Sequence, residues 1–530
     1  MDERVAAYAE TGPPNKPRRP RSPPHHHWQL EQNSSLKQRY PSRKTPKRKR
    51  SHQRRKNRIF TKYYAGFEEN HFMRGLALSG GGFRATLFHL GVINYLYDVE
   101  SAWNRAPEEN QVEGAEKNLA CRYALTGIRY MTSVSGGSIL AAHLVLNWER
   151  YTDFEDRTKF EEAAGELVRF IKYDVRGRIV RRLPYTYPLY FLSVIWRMSP
   201  LRKWDPGRWI RHSPTDHLER YYHKRLFNRA NLENIEPQDF PGRPSLSILT
   251  TDLGREESAA SFTNKGFSSS YGLYEDCHLP LARAVAASSA FPGMFPPMLY
   301  DPTAEPGPGL KLSDGGVYDN LGVRKFWELI EQQEALEKEG KLDPLKKINQ
   351  IIVSDASVRF KPSFGLEFLE PLTVPIKASD ILFRRVYTFE RSAAETFDDE
   401  HVGCSFRFLK LRQRFDDADL NDLTLCPAQQ KCLYSTRTDL DEFSDLEIAA
   451  LVRHGYTVAR RELAYQLPSL SNPNSPPKWD PVPNTTCDFA KAICDRKAST
   501  STTLYKATRT LERSARRPWR LFKKKTQLAT

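Results

Sequence analysis

The sequence predicts an α/β protein built on a mainly parallel central sheet flanked by helices, with disordered basic termini. Three observations carry that prediction. Short apolar runs alternate with longer helix-like stretches, the pattern of strands covered on both faces. Two of the runs end in glycine-rich breaks, Gly80-Gly81-Gly82 and Ser135-Gly136-Gly137, and each break leads straight into a helix-like stretch. In sheets of this kind, sites form at the carboxyl ends of the strands, where both breaks fall.

Residues 1–58 are rich in Pro, Ser, Gln, Arg and Lys and poor in apolar residues, which predicts disorder. From Ile59 the composition becomes that of a folded body, expected to run to 466. Leu76–Ser79 reads as a buried strand and Ala85–Val99 as a helix with an almost continuous apolar face. A polar loop leads to a second strand at 128–134, and a helix is expected from Ser138 to Trp148. Further strands are expected at Leu246–Thr250, Leu310–Leu312 and Ile348–Val353, and helices at Leu281–Ala287, Leu321–Gln333 and Leu446–Leu463. Residues 467–500 read as a linker into a basic C-terminal tail ending at 530.

The charge is uneven. The chain has 530 residues and a net charge of +17. Residues 1–58 hold 17 Lys/Arg against four acids, a net +13, and residues 506–530 hold nine against one, a net +8. The body between them is left at −4. A basic-aromatic insertion at about 174–225 stands out, with arginines from Arg176 to Arg211 interleaved with Tyr185, Tyr187, Tyr190, Phe191, Trp196, Trp204 and Trp209. Rings beside cationic side chains suit a membrane–water interface. The bland alternative is an insertion packed on the body with its arginines at the rim.

Seven cysteines, odd in number and without a CxxC pair, argue against a zinc site or a disulfide framework and for a reducing setting. No apolar run follows Met1, and no run reaches the length of a spanning helix. The expectation is an intracellular, cytoplasmic protein with peripheral membrane association, with nuclear import open from the run Arg43–Arg50.

The chemistry lies in the two breaks. Ser135 sits between a strand and a helix in Ser133-Val134-Ser135-Gly136-Gly137, a G-x-S-x-G elbow with serine in place of the first glycine. There the hydroxyl is pushed out over a helix N-terminus, which favours developing negative charge. Gly80–Gly82 can turn successive N–H groups to one point, an anion-binding nest. A Walker loop would need a Gly-Lys-Ser/Thr that is absent, and the acids expected of a dinucleotide site, Asp98 and Glu100, fall on a helix. For a base, Asp252, Asp314 and Asp355 each follow an apparent strand. Asp314 is favoured because Gly315 and Gly316 remove side chains that would crowd an approaching serine.

Taken together, Gly80-Gly81-Gly82-Phe83-Arg84, Ser135-Gly136-Gly137, Ala284–Pro292, Asp314-Gly315-Gly316 and Asp319-Asn320 resemble the patatin-like phospholipase family in order and spacing across residues 74–322. Ser133 in place of a glycine, and Ala85 where the oxyanion motif often ends in glycine, depart from the pattern; both are small. The resemblance implies a three-layer sandwich and a lipid acyl hydrolase of phospholipase or lysophospholipase type. It further implies a Ser–Asp dyad in which Ser135 attacks the ester, Asp314 takes its proton, and no histidine acts. Backbone N–H groups of Gly80, Gly81, Gly82 and Phe83 would form the oxyanion hole. Arg84 would brace that loop or meet a lipid phosphate, with Gly136, Gly137, Gly315 and Gly316 in support.

No cofactor or metal is expected, and no spaced acids resemble a calcium loop. The expected partner is a lipid substrate at a membrane surface, with anionic lipid bound by the basic tails. Nucleic acid fits less well, because the C-terminal run mixes Trp519, Leu521 and Phe522 with its bases. Two other readings stay open: an α/β-hydrolase triad using His401 or His454, and a catalytically inactive protein that binds membrane or nucleic acid.

Overall fold

The computed structural model describes residues 73–105, 120–198, 213–255, 258–292, 295–301, 310–342, 347–357, 381, 385–393, 404–415, 424–463, 477–482 and 501–514. All of them fall within the unit 70–530. The expected tail 1–58, most of the expected linker and residues 515–530 lie outside the described residues.

The sheet has ten strands. Its parallel part runs in the order β10 (Ser405–Lys410), β9 (Ile348–Asp355), β1 (Met73–Leu78), β2 (Ile128–Ser133) and β3 (Ser245–Asp252). Beyond β3 it turns antiparallel through β4 (Ala259–Thr263), β5 (Gly266–Ser269) and β6 (Gly272–Glu275). A hairpin of β7 (Met298–Tyr300) and β8 (Leu310–Asp314) also pairs antiparallel to β3. The sheet is thus mixed, with its parallel part confined to five strands.

One feature of the register positions the site. Ile248 of β3 pairs with both Ser133 and Phe262, while Thr250 pairs with both Asp314 and Ala260. A strand residue has only two sides, so β4 fills one flank of β3, and β2 and β8 share the other. β8 takes over the lane where β2 ends, and it runs the opposite way. The carboxyl ends of the two strands therefore face each other, with only Leu249 between their β3 partners. Asp314 was expected at the sheet's carboxyl edge; it reaches the level of Ser135 from the opposite direction.

Helices cover both faces. α1 (Gly82–Asn104) follows β1 and α2 (Gly136–Leu146) follows β2; a single turn, Trp148–Tyr151, leads to α3 (Arg157–Ile171). Then come α4 (Val175–Met198), α5 (Pro214–Arg225), α6 (Leu281–Ser288), α7 (Arg324–Lys338), α8 (Pro427–Tyr434), α9 (Asp445–Leu463) and α10 (Ser501–Ser514). α7 packs on one face, where Phe326 and Ile330 meet Ala77, Ile351 and Val353. The larger core on the other face joins Leu76, Leu78 and Ile352 to α1, α2, α6 and α9. Alternate residues of β1 and β9 thus feed opposite layers, as a doubly covered sheet requires.

α1 is buried from Phe83 to Trp103, polar residues such as Arg84, His89 and Asp98 included. It can lie that deep because α9 crosses it backbone to backbone. A Cβ built on Gly91 would come within 2.1 Å of Val452 O, and one on Gly455 within 2.0 Å of Phe88 O. The packed body also continues past the expected boundary at 466. Trp479 and Val482 join the core, Trp479 edge-on to Phe160, and Leu511 of α10 is fully buried.

Candidate active site

Ser135 is the N-cap of α2 and holds φ 49° and ψ −116°, a left-handed conformation that non-glycine residues rarely adopt. Its N–H donates to Ser288 Oγ at 2.9 Å, while Ser288 Oγ lies 3.0 Å from Ser138 Oγ. The two glycines after it are required by contact with the other loop. A Cβ on Gly136 would sit 2.1 Å from Gly82 O, and one on Gly137 would sit 2.4 Å from Leu78 O. Ser135 is half-exposed, whereas the neighbouring Ser133 and Ser138 are fully buried. The elbow therefore presents one accessible hydroxyl.

The glycine loop turns through Gly81 (φ 142°) and Gly82 (φ 58°) into α1. Gly80 N donates to Asn320 O at 3.2 Å, and Phe83 N donates to Asp439 O at 3.1 Å. Two of the four expected oxyanion donors are therefore already engaged. Among the described residues, the N–H groups of Gly81 and Gly82 make no hydrogen bond, nor does that of Gly136 at the start of α2. The Phe83 ring packs edge-on against Phe170 and Phe443.

Arg84 is buried beneath this loop. Its guanidinium donates to Thr436 O at 2.9 Å and Ala356 O at 2.8 Å. Burial lowers its pKa to about 9, partly offset by the Asp355 carboxylate. In that placement the guanidinium does not face solvent, where a lipid phosphate would be met. His89, five residues further along α1, bridges Ser354 Oγ (2.6 Å) and Ser79 O (3.0 Å). Burial, opposed by the bond to Ser79, drops its pKa to about 4, so it is neutral near pH 7.

Asp314 ends β8 and caps the 3-10 turn Gly315–Val317, its Oδ1 accepting from Gly316 N at 2.8 Å. Its Oδ2 is buried and makes no closed hydrogen bond. Burial raises the carboxyl pKa to about 6, and the nearby Ser135 hydroxyl and Gly316 N–H hold it from rising further. Gly315 passes so close to β3 that a Cβ there would be 2.5 Å from Leu249 O. Asn320 locks the two glycine loops together: a Cβ on Gly80 or on Gly316 would come within 2.6 Å of its Oδ1.

The competing bases are committed elsewhere. Asp252 accepts from Gly254 N at 2.9 Å and faces Arg255 at 3.6 Å. Asp355 accepts from Ser357 N and from Tyr387 OH, at 2.8 and 2.7 Å. His454 Nε2 meets Leu411 O at 2.9 Å, between the rings of Phe88 and Phe415. His401 lies outside the described residues. Asp98 and Glu100 sit on α1, bound to Arg157 and to Thr126 respectively.

Ser288, Ala290 and Asn320 carry structural duties that their sequence motifs announced only by family likeness. Ala290 O accepts from both Asp314 N and Ser313 Oγ at 3.0 Å. One metal-capable grouping occurs among the described residues, Glu233, Cys277 and His278. Its Glu233 and His278 side chains are exposed, and groupings of that kind are common without an ion.

Residues 76–327 match the family model of patatin-like phospholipases. No curated protein sequence matches the chain. Among solved structures, VipD from Legionella pneumophila aligns with 75% of this chain and 67% of its own, at 12% identity and a TM-score of 0.26.

Proposed function

With a patatin-like phospholipase domain spanning residues 76–327 as the premise, we propose that this chain hydrolyses carboxylic esters of lipids through Ser135 and Asp314. At the level of the family, the match supports lipid ester hydrolysis. The finer reading rests chiefly on one observation: the buried Asp314 carboxyl at the end of β8, on which the Ser135 hydroxyl acts, faces the strand end that presents Ser135.

In the first half-reaction Ser135 Oγ attacks the ester carbonyl carbon as Asp314 Oδ2 takes the hydroxyl proton. The carbonyl oxygen becomes an oxyanion, received by the free N–H groups of Gly81 and Gly82 and, at the head of α2, of Gly136. Collapse breaks the ester C–O bond; the alcohol leaves with the proton from Asp314, and the acyl group stays on Ser135. Water then attacks the acyl carbon, giving a proton to Asp314, and Ser135 Oγ departs with it. A carboxylate near pKa 6 is a better-matched base for this work than one near its ordinary value of 3.8.

The substrate side of the proposal is a lipid at a membrane surface, approached by a peripheral protein. Two basic stretches, net +13 at 1–58 and +8 at 506–530, suit an anionic surface. We place the work in the cytoplasm, with the run Arg43–Arg50 also suited to nuclear import, and expect it to need no calcium. No described helix is long and apolar enough to cross a membrane.

The test is Ser135→Ala. Turnover of a phospholipid or a soluble ester should fall by at least about 10³-fold with the circular dichroism unchanged. Undiminished turnover in the folded variant defeats the proposal.

A further inference from the structure

We propose that α4 is the element that seats this protein on an anionic phospholipid surface, and that Arg176 couples that seat to the glycine loop. The inference rests on the lipid-hydrolase reading for its purpose and on α4 itself for its evidence.

The two ends of α4 are unlike. Its root is built into the body: Val175 and Ile179 are buried, and Arg176 N donates to Leu440 O at 3.1 Å. From Pro184 to Ile195 most of the described side chains are exposed. Tyr185, Tyr187, Leu189, Phe191, Leu192 and Ile195 are all exposed, Tyr185 by 79% and Phe191 by 61%. Six of the fourteen exposed large apolar residues among the described residues thus fall on eleven positions of one helix. A patch so concentrated marks a contact surface.

Its charge selects the partner. Residues 175–204 contain seven Lys/Arg and no acid. The cations bracket an uncharged run, 183–196, with Arg181 and Arg182 before it and Arg197, Arg202 and Lys203 after it. Rings and aliphatic side chains between arginines match the headgroup layer of an anionic bilayer, where rings bury and guanidinium groups meet phosphates. Fourteen uncharged residues span only about 21 Å as a helix, too short to cross and long enough to lie in the interface.

The root leads to the candidate active site. The Arg176 guanidinium pairs with the carboxylates of Asp439 and Asp441. Asp439 O in turn accepts the N–H of Phe83 at 3.1 Å. A Cβ on Gly82 would meet Thr438 C at 2.8 Å and Asp439 N at 3.0 Å, so this segment lies directly on the loop that holds the free donors. A displacement of the α4 root is thereby passed, through one ion pair and one hydrogen bond, to Gly82 and Phe83.

The experiment uses the full chain, vesicles of phosphatidylcholine with or without 30% phosphatidylglycerol, and a water-soluble short-chain ester. Two variants are compared with wild type, Tyr185→Ser/Phe191→Ser/Leu192→Ser and Arg176→Gln. Wild type should float with anionic vesicles, and adding those vesicles should raise soluble-ester turnover. The triple variant changes exposed residues only; it should bind anionic vesicles at least about ten-fold more weakly, yet keep its vesicle-free turnover of the soluble ester. Arg176→Gln should float as wild type does but lose the rise in turnover. Wild-type protein that does not float, or a triple variant that floats equally well, overturns the seating role. A triple variant that instead breaks a dimer in sedimentation, with flotation unchanged, assigns α4 to a second copy of the chain and also overturns it. A rise in turnover that survives Arg176→Gln overturns the coupling. Absence of ester turnover in wild type refutes the hydrolase reading and leaves the flotation contrast intact.

Discussion

The Ser288 hydroxyl accepts the backbone N–H of Ser135 at 2.9 Å, and two residues later Ala290 O accepts the N–H of Asp314 at 3.0 Å. The last residue of α6 and the turn that follows it therefore hold both members of the proposed dyad by their backbones. Ser135 needs such a hold, because its left-handed conformation is costly for a residue with a side chain.

Ser288→Ala removes the acceptor and leaves the Ser135 N–H and the Ser138 hydroxyl short of a partner. Stability should fall by about 1–3 kcal/mol. With the elbow loosened, kcat should fall by roughly 10–100-fold while KM changes little. Chemical denaturation and steady-state kinetics read the two effects separately.

Asp314 acts as a base only when ionised, and burial sets its pKa at about 6. The kcat/KM for a soluble ester should rise with pH along a single acid limb centred near 6, and stay level above it. The same shift has a stability consequence of opposite sense. Between the ordinary value of 3.8 and about 6 the folded state holds the proton that the unfolded state has lost, so stability falls as pH rises through that window. Asp314→Asn should then be inactive at pH 8 and more stable there than wild type, by about 1–3 kcal/mol.

Gly136→Ala would drive a methyl group into Gly82 O, a contact of 2.1 Å between two backbones that cannot part without opening both loops. A loss of at least about 2 kcal/mol of stability, together with activity, is expected. Gly165→Ala on α3 is the contrast: its nearest neighbour is the flexible end of Arg169 at 3.4 Å, and stability should rise by about 0.5–1 kcal/mol. Thermal unfolding of both variants provides the check.

His454→Gln keeps a donor for Leu411 O and removes the imidazole. Ester turnover should stay within about three-fold of wild type, against the loss of about 10³-fold or more that removing a triad base brings.

Much of the architecture around the site was legible in the sequence. The strands before both glycine breaks, and the helices after them, appear as expected within a few residues, α1 starting at Gly82 and α2 at Gly136. Apolar runs ending in glycine leave few alternatives. The antiparallel strands β4–β6 were missed, because Ala259–Glu275 is short, rich in Ser, Thr and Gly, and offers no apolar run. α4 was read as a basic-aromatic insertion without an assigned helix; Pro184 and Pro188 lie inside it. The packed segments at Trp479 and Leu511 were hidden because single anchoring residues amid polar sequence carry no periodicity. At the site, residue types pointed to Ser135 and Asp314, but no spacing could reveal that Gly80 and Phe83 had already spent their N–H groups on Asn320 and Asp439.

The central claim is that Ser135, activated by Asp314, is the nucleophile. The most direct test is a fluorophosphonate label followed by peptide mass mapping. The account predicts one adduct per chain, on Ser135, forming at a rate that rises with pH through about 6 and falls at least about 100-fold in Asp314→Asn. An adduct on Ser133, Ser138 or any other serine, or labelling undiminished in Ser135→Ala, would contradict it.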